Sequence, residues 1–284
     1  MVKLNLQNIR MILRWALKED QGHGDATTEC ILDSSVKGQA DFLAKSELVL
    51  AGWPLVTEVF QMLSPQFSSK SHFKEGELVS KGSIIGSIFG PANLLLTGER
   101  VALNFLQRLC GIATQTRQFV QAVQGTEILI LDTRKTTPGL RLVEKYAVRI
   151  GGAHNHRWGL YDGILIKDNH IRAAGSIQEA VQRVRNRIGH LQKIEVEVSN
   201  LQELKDALKT SVEVILLDNM TPNEVRSCVS EVNGRARLEV SGNIDLGNIA
   251  DYVNCGVDFI SVGALTHSVK AADISLVFRL DKPL

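Results

Sequence analysis

Short apolar segments recur along the C-terminal part of the chain and constrain the fold more than any other feature. They are EILIL (127–131), GILI (163–166), KIEVEV (193–198), EVILL (213–217), RLEV (237–240) and VDFISV (257–262). The last four begin at residues 193, 213, 237 and 257, a spacing typical of repeated strand–loop–helix units. Continuous apolar strands of this kind are buried on both faces. They therefore predict a parallel sheet or barrel.

Polar or charged residues follow nearly every segment. Asp132–Lys135 follows the first, Lys167 the second, Asp218 the fourth, Ser241 the fifth and Gly263 the sixth. A barrel of parallel strands gathers these ends at one rim, where active sites lie. One such residue is usually only a strand terminator, but a polar group at nearly every end favours a site.

The first part of the chain has a different pattern. Apolar residues from Ile9 to Leu17 have helical spacing, the segment 36–53 predicts two strands around a turn at 45–47, and Pro54–Leu63 predicts a helix. A glycine-rich run of short strands follows. Residues 98–123 are strongly helical, and we expect an interruption at Gly111.

Composition excludes several classes of function. The formal net charge is +1, so no overall field attracts the chain to nucleic acid or to an anionic membrane. No stretch approaches the ~20 apolar residues needed to span a bilayer. The four cysteines are scattered without a CxxC pair, which fits a reducing compartment, and we expect a cytoplasmic protein.

Positive charge is concentrated between Asp132 and Arg172. This segment contains eight Lys/Arg, four Asp/Glu and three of the seven histidines. A solvated surface charge is the commoner explanation of any one of them. Arg134, Lys135 and Lys167 directly follow apolar strands, however, and Arg157 lies in a glycine-bearing loop. Such placement suits a ligand with several negative charges, because arginine binds carboxylates in a fork and lysine binds phosphate as a point charge.

Carboxylates follow on the next strands. Glu195 and Glu197 share a face of one strand, and Asp218 ends the next. These groups can hold Mg2+ together with phosphate oxygens, or they can pair with the Lys/Arg cluster; the sequence leaves both open. His154 and His156 invite a zinc interpretation, which ranks well below anion binding because no further ligands occur at characteristic spacing.

Two glycine-bearing strand ends, SGNID (241–245) and SVGALTHS (261–268), precede helical segments. Backbone N–H groups at such points bind phosphate, and the last two strands of a barrel commonly hold one. Each motif alone also fits an ordinary turn.

The run LDTRKTTPGLRLVEKYAVRIGGAHNHRWGLYDGILIKDNHI closely resembles the quinolinate phosphoribosyltransferases. So do EDQGHGDATTE, GERVALNFLQRLCGIAT, KIEVEV, ILLDNM, LEVSGNI and SVGALTHS, in the family's order over nearly the whole chain. Two positions depart from the family's pattern: Asn243 and Ala153 stand where glycine is frequent. They put fine loop geometry in doubt, not the reaction.

The resemblance implies an α/β fold, an open seven-stranded α/β barrel of the type II phosphoribosyltransferase kind with an N-terminal α/β sandwich domain. The expected domains are 1–111, joined by the C-terminal segment 271–284, and a catalytic barrel at 112–270. The family forms homodimers, with the possibility of a higher oligomer, and the partner subunit completes each active site.

The implied reaction joins quinolinate and phosphoribosyl pyrophosphate, with Mg2+, to give nicotinate mononucleotide, pyrophosphate and CO2. The resemblance places the quinolinate carboxylates on Arg134, His156, Arg157 and Lys167, with Arg100 reaching in from the partner subunit. It places the pyrophosphate on Lys135, Mg2+ and the ribose on Glu197 and Asp218, and the 5′-phosphate beside Ser241, Gly242, Gly263 and His267. Lys135, Glu197 and Asp218 are the implied catalytic residues.

Two alternatives remain. A paralogous phosphoribosyltransferase could use a different anionic acceptor, although a monocarboxylate would not need so many cations. A non-catalytic phosphate-binding barrel would keep the glycine-bearing loops but could lose Glu197 and Asp218, and this chain has both.

Overall fold

The structure, a computed structural model, describes residues 4–281 and divides them into two compact units. The first unit contains the residues up to Arg117, Thr136–Gly152 and the residues from Ser268 onward; the second contains Gln118–Lys135 and Ala153–His267. The domain limits predicted from the sequence stay a prediction, and their outer ends at residues 1 and 284 lie outside the described residues.

The elements up to residue 122 are α1 (Leu6–Gln21), α2 (Thr28–Ile31), β1 (Lys37–Ala44), β2 (Leu48–Val49), α3 (Trp53–Leu63), β3 (Ser68–Ser71), β4 (Leu78–Val79), β5 (Ile84–Pro91) and α4 (Ala92–Ala122). Those that follow are β6 (Leu129–Leu131), α5 (Arg141–Gly151), β7 (Ile164–Ile166), α6 (Asp168–Ala174), α7 (Ile177–Arg185), β8 (Ile194–Val198), α8 (Leu201–Leu208), β9 (Val214–Asp218), α9 (Pro222–Val232), β10 (Arg237–Ser241), α10 (Ile249–Val253), β11 (Phe259–Ser261), α11 (Ala264–His267) and β12 (Ile274–Leu280).

The first unit is built on a four-stranded antiparallel sheet in the order β12-β1-β5-β3, with a separate β2-β4 pair. Its core is a chain of edge-to-face aromatic contacts from Trp53 through Phe42 and Phe60 to Phe67. The predicted turn at 45–47 separates β1 from β2, but the two strands pair with different partners. Such aromatic contacts contribute about 0.5–1.5 kcal/mol each beyond the area they bury.

The predicted interruption at Gly111 is wrong, because α4 runs without a break through that position. A Cβ atom at Gly111 would lie 2.3 Å from the carbonyl oxygen of Lys270, so the glycine serves a close approach of two backbone segments within the first unit. At 31 residues, α4 is the longest described helix. Neither it nor any other helix of residues 4–281 is long and apolar enough to cross a membrane.

The second unit is built on a parallel sheet in the order β6-β11-β10-β9-β8-β7. A single parallel bridge between Leu131 and His154 adds one residue of a seventh strand beside β6. Within the described residues β6 and β7 do not pair with each other, so the barrel is open. The predicted α/β fold class is confirmed, with the seventh strand reduced to this bridge.

Three helices of the second unit begin at side-chain caps. Ser176, Asn200 and Thr221 accept hydrogen bonds from backbone N–H groups in the first turns of α7, α8 and α9. Each cap provides a hydrogen-bond acceptor for a backbone N–H group that has no partner inside the helix. It thereby fixes the residue at which the helix begins. The strand ends are thereby held at one rim of the sheet.

Candidate active site

One cavity of about 810 Å³ lies at the carboxyl ends of the second unit's strands. Eleven of the twelve predicted site residues line it: Arg134, Lys135, His156, Arg157, Lys167, Glu197, Asp218, Ser241, Gly242, Gly263 and His267. The twelfth, Arg100, is an exposed residue of α4 and is not among the lining residues. The residues that follow the apolar segments of the sequence therefore lie together in one cavity.

Four cations line the cavity. Arg134 and Lys135 follow β6, Arg157 precedes β7, and Lys167 follows β7. Burial and the nearby Arg134 charge lower the pKa of Arg157, and Glu195 partly opposes this change. An arginine remains protonated under any physiological condition. The lowered pKa therefore reflects first the burial of this positive charge and second the nearby charge of Arg134, and an anionic ligand would offset both.

Asp132, at the end of β6 and fully buried, anchors the loop that carries His156 and Arg157. One carboxylate oxygen accepts the backbone N–H of His156 at 2.8 Å, and the other accepts the Asn155 amide at 2.6 Å. Farther along, the Arg157 guanidinium donates to the carbonyl of Gly163 at 3.0 Å. Sequence reasoning treated Asp132 only as a strand end, yet it fixes the loop that presents two of the site residues.

The imidazole of His156 is bonded at both nitrogens. Nδ1 accepts the backbone N–H of Arg157 at 2.7 Å, and Nε2 lies 2.9 Å from Oε2 of Glu195 and 3.7 Å from Oε2 of Glu239. Because Nδ1 is an acceptor, the ring proton is on Nε2, which donates to Glu195. The three side chains could hold a metal ion by distance alone, since their ligand atoms lie within 4.8 Å of one another. A protonated Nε2 cannot be a ligand, which argues against a metal at this point.

Glu239 is a buried carboxyl group whose protonated form the structure favours. Burial, reinforced by the charge of Glu195, raises its pKa from 4.5 to about 8, while His156 acts in the opposite direction. The side chain is 2% exposed, and one of its oxygens has no hydrogen-bond partner. A neutral carboxyl is the less costly form in such a place. The sequence signal was available, because Glu239 stands inside the apolar segment RLEV.

Glu197 and Asp218 have different partners. The Glu197 carboxylate pairs with the ammonium of Lys167. Asp218 makes no ion pair within residues 4–281, and it accepts the amide of Asn219 at 2.8 Å. The charge of Glu197 is therefore partly offset by Lys167, whereas within residues 4–281 no Lys or Arg pairs with the carboxylate of Asp218.

The ends of β9 and β10 are locked together by residues with positive φ. Asn219, Gly242 and Asn243 have φ of 54°, 104° and 50°, and the Asn243 amide donates to the side-chain oxygen of Asn219 at 3.2 Å. A Cβ at Gly242 would lie 2.2 Å from that same oxygen. Asparagine tolerates the left-handed region better than most residues. The departure from the family pattern at Asn243 is thus accommodated by the backbone.

The charge cluster between residues 132 and 172 does not all reach the cavity. Arg141, Lys145 and Arg149 lie on α5 in the first unit, and Arg172 pairs with Asp168 at 3.2 Å on α6. The other four line the cavity. The sequence therefore overestimates the positive charge at the cavity, because the segment 132–172 is divided between the two units.

Comparisons with known proteins give the family. Two family models match, the quinolinate phosphoribosyl transferase N-terminal domain over residues 25–110 and the C-terminal domain over residues 112–277. The chain is 45% identical over 273 residues to a probable nicotinate-nucleotide pyrophosphorylase [carboxylating] of Bacillus subtilis (strain 168), covering 96% of this chain and 94% of that protein. It is 47% identical over 251 residues to the protein of the same name from Synechocystis, covering 87% and 85%.

Among solved structures, NadC from Streptococcus pyogenes superposes with a TM-score of 0.95 at 39% identity, covering 99% of this chain and 100% of that one. The nicotinate-nucleotide pyrophosphorylase of Ehrlichia chaffeensis superposes with a TM-score of 0.93 at 42% identity, covering 98% and 100%. Both domain models, the level of identity and the full coverage agree with the arrangement of the cavity. This chain belongs to the quinolinate phosphoribosyltransferase family.

Proposed function

We propose that the chain transfers the phosphoribosyl group of phosphoribosyl pyrophosphate to quinolinate, giving nicotinate mononucleotide, pyrophosphate and CO2 in NAD biosynthesis. The observation that carries this function is a single cavity lined by four cations together with carboxylates and glycine-bearing strand ends. Two polyanions must meet in this reaction. A cavity with cationic and phosphate-binding groups offsets their repulsion and orients them.

Quinolinate belongs against the cations. Burial and then the charge of Arg134 lower the pKa of Arg157, and a dicarboxylate placed against the two guanidinium groups offsets both effects. Lys167 adds a third positive charge, shared with Glu197. The aromatic ring then sits with its nitrogen toward the sugar. A substrate with only one carboxylate leaves part of this charge uncompensated, which favours quinolinate over nicotinate.

Phosphoribosyl pyrophosphate belongs against the glycine-bearing strand ends. Ser241, Gly242, Gly263 and His267 suit the 5′-phosphate, because backbone N–H groups and small side chains allow close approach at the ends of β10 and β11. Lys135, whose carbonyl accepts the hydroxyl of Thr266 at 2.7 Å, suits the pyrophosphate.

Carboxylate oxygens on neighbouring strands are the donors that Mg2+ prefers. Glu197 on β8 and Asp218 on β9 are the residues that would hold it, and Asp218 fits better because no cation offsets its charge within the described chain. Mg2+, when bound, would neutralise charge on the departing pyrophosphate. Lys135 contributes a fixed positive charge to the same end.

The chemistry needs no covalent nucleophile from the protein. The pyridine nitrogen attacks the anomeric carbon as the bond to pyrophosphate breaks, and positive charge grows on the ribose, where the carboxylates of Glu197 and Asp218 stabilise it. The ribosylated nitrogen is cationic. Its positive charge stabilises the electron pair that stays on the adjacent ring carbon when the carboxylate leaves as CO2, and that carbon then takes up a proton.

We further propose a homodimer in which Arg100 of one protomer reaches the cavity of the other. The proposal is supported by the exposure of Arg100 on α4 and by its absence from the residues that line the cavity. An additional guanidinium suits a ligand with two carboxylates. The cytoplasmic location expected from the sequence stays a prediction.

A steady-state assay with quinolinate, phosphoribosyl pyrophosphate and Mg2+, following nicotinate mononucleotide, tests the function. We expect product only when all three are present, and far less from nicotinate. Product that forms equally well from nicotinate would indicate a different acceptor. Binding of phosphoribosyl pyrophosphate without release of pyrophosphate would indicate a non-catalytic protein.

A further inference from the structure

We propose that His156 is a positioning residue for Arg157, anchored on the buried carboxylate of Glu195, and that its imidazole does not itself bind a quinolinate carboxylate. The inference deepens the proposed function and rests on it, because quinolinate is the ligand whose binding reports on Arg157. The proposal also gives a role to Glu195, although this residue is not among those that line the cavity.

The hydrogen bonds of the imidazole are the first support. Its one unprotonated nitrogen, Nδ1, accepts the backbone N–H of Arg157 at 2.7 Å, and its one N–H, at Nε2, donates to Glu195 at 2.9 Å. A neutral imidazole has one donor and one acceptor. Both are already used by protein groups, so the ring offers carbon atoms to the cavity that it lines.

The second support is what Arg157 requires. Its guanidinium is half-buried, and burial together with the charge of Arg134 disfavours its protonated form, as the lowered pKa of Arg157 indicates. The side chain can stay in the cavity only if the structure holds it there. The bond from its backbone N–H to His156 and the bond from its guanidinium to the Gly163 carbonyl, 3.0 Å long, fix it from both ends.

The third support is the burial of Glu195. This residue of β8 is 8% exposed, and its other carboxylate oxygen has no hydrogen-bond partner. A buried charge is costly unless a specific contact offsets it. The contact with His156 is the hydrogen bond that Glu195 makes toward the site, and Asp132 holds the backbone of the same histidine. Glu195 therefore reaches Arg157 through His156.

The arrangement of the ring can be tested without any ligand. Histidine 15N chemical shifts of the uniformly labelled protein should show His156 with a bare, hydrogen-bonded Nδ1 and a protonated Nε2. Glu195→Gln should move the Nε2 signal, and the control His190→Ala, at an exposed histidine of the same unit, should leave it in place. A protonated Nδ1 in the free protein would overturn the inference.

The effect of the contacts from Glu195 through His156 to Arg157 on ligand binding can be tested by a double-mutant cycle. The quantity measured is quinolinate affinity, by calorimetry. We expect His156→Ala to weaken binding about tenfold, because a supporting hydrogen bond is lost and its partners are left unpaired. In an Arg157→Ala background the same change should cost less than about twofold, because no guanidinium remains to be positioned. His156→Asn, which keeps an acceptor near Nδ1, should retain more affinity than His156→Ala.

Glu195→Gln should also weaken quinolinate binding, and should add nothing once His156 is Ala. If His156→Ala costs the same factor with and without Arg157, the histidine binds the ligand directly and the inference is wrong. Thermal unfolding of each variant identifies any loss that comes from misfolding. Failure of the wild-type protein to bind quinolinate would contradict the proposed function instead, and the 15N signals would still decide the arrangement of the ring.

Discussion

At the scale of single residues, both positive and negative side chains line the cavity. Substitution of Arg134 tests the binding of quinolinate most directly. Arg134→Ala should weaken quinolinate binding by about 2–5 kcal/mol, since removing one partner of a charge-assisted contact costs that much. Arg134→Lys should lose less, because it keeps the charge but not the planar fork. The KM values for both substrates distinguish the effects, and an unchanged KM for quinolinate would remove Arg134 from this role.

Asp218 is the corresponding test on the carboxylate side. Asp218→Asn keeps the volume and removes the charge that is expected to hold Mg2+, so the KM for phosphoribosyl pyrophosphate and the Mg2+ concentration needed for half-maximal rate should both rise. Asp251→Asn, at an exposed position on α10, is the matched control. Ordinary Mg2+ dependence in Asp218→Asn would show that the metal is held elsewhere.

Glu239 makes stability depend on pH. Its pKa is raised by burial from 4.5 to about 8 in the folded chain, so between these values the folded state keeps a proton that the unfolded state has released. The free energy of unfolding contributed by this group is complete below pH 4.5 and is lost as the pH rises past about 8. Urea unfolding across this range should show the decline, and Glu239→Gln should make it shallower. An identical slope in the variant would mean that Glu239 does not titrate in this window.

At the scale of elements, α4 shows how a tertiary contact overrides local preference. Alanine is favoured over glycine inside a helix by up to about 1 kcal/mol, so propensity alone predicts that Gly111→Ala stabilises the protein. The new Cβ, however, would lie 2.3 Å from the Lys270 carbonyl. Overpacking costs about 1–3 kcal/mol, and we expect a net loss of stability.

The melting temperature measures this effect, and Gly189→Ala provides the control. A Cβ at Gly189 meets nothing within 4 Å and its φ is not in the left-handed region. We expect little change there. A melting temperature raised by Gly111→Ala would mean that the close approach relaxes easily.

Elements whose stability lies in their own sequence could be predicted, and those that depend on a neighbour could not. The strands β6 to β11 match apolar runs because burial on both faces requires them. The strand β3 is SSKS and entirely exposed, and it exists through its pairing with β5. The four-residue α2 lies in a segment that has the composition of a loop. Neither β3 nor α2 shows the hydrophobic periodicity by which a strand or a helix is predicted from the sequence.

The same division holds for the site. Residues at strand ends could be predicted, because topology alone brings parallel strand ends to one rim. The lock between Asn219 and Gly242 could not, because it depends on a side chain of one strand end meeting the backbone of the next. The bond between His156 and Glu195 joins residues 39 positions apart, and only the fold brings them together.

At the scale of the whole molecule, the run that best identifies the family is divided between two units. Residues 118–135 and 153–267 belong to the unit with the cavity, whereas 136–152 belong to the other. There Glu144, fully buried, pairs with Arg108 at 2.6 Å and accepts the backbone N–H of Thr137 at 3.1 Å. The segment TTPGLRLVEKY is thus held by the first unit, so a family signature of this length records structural as well as catalytic demands.

The proposed dimer makes a prediction that belongs to the assembly and to no single chain. If Arg100 acts in the partner's cavity, a mixed dimer of Arg100→Ala and Lys135→Ala protomers contains one site with both wild-type residues and one with neither. Random mixing of two such inactive variants should then restore about a quarter of the wild-type activity, because half of the dimers are mixed and half of their sites are intact.

The two variants are mixed at equal concentration after reversible dissociation, and the rate is compared with each variant alone. Two Lys135→Ala preparations mixed in the same way are the control. If Arg100 served the cavity of its own chain, every site in the mixture would lack one of the two residues, and no activity would return. A return of activity therefore requires both a dimer and a site shared between its protomers.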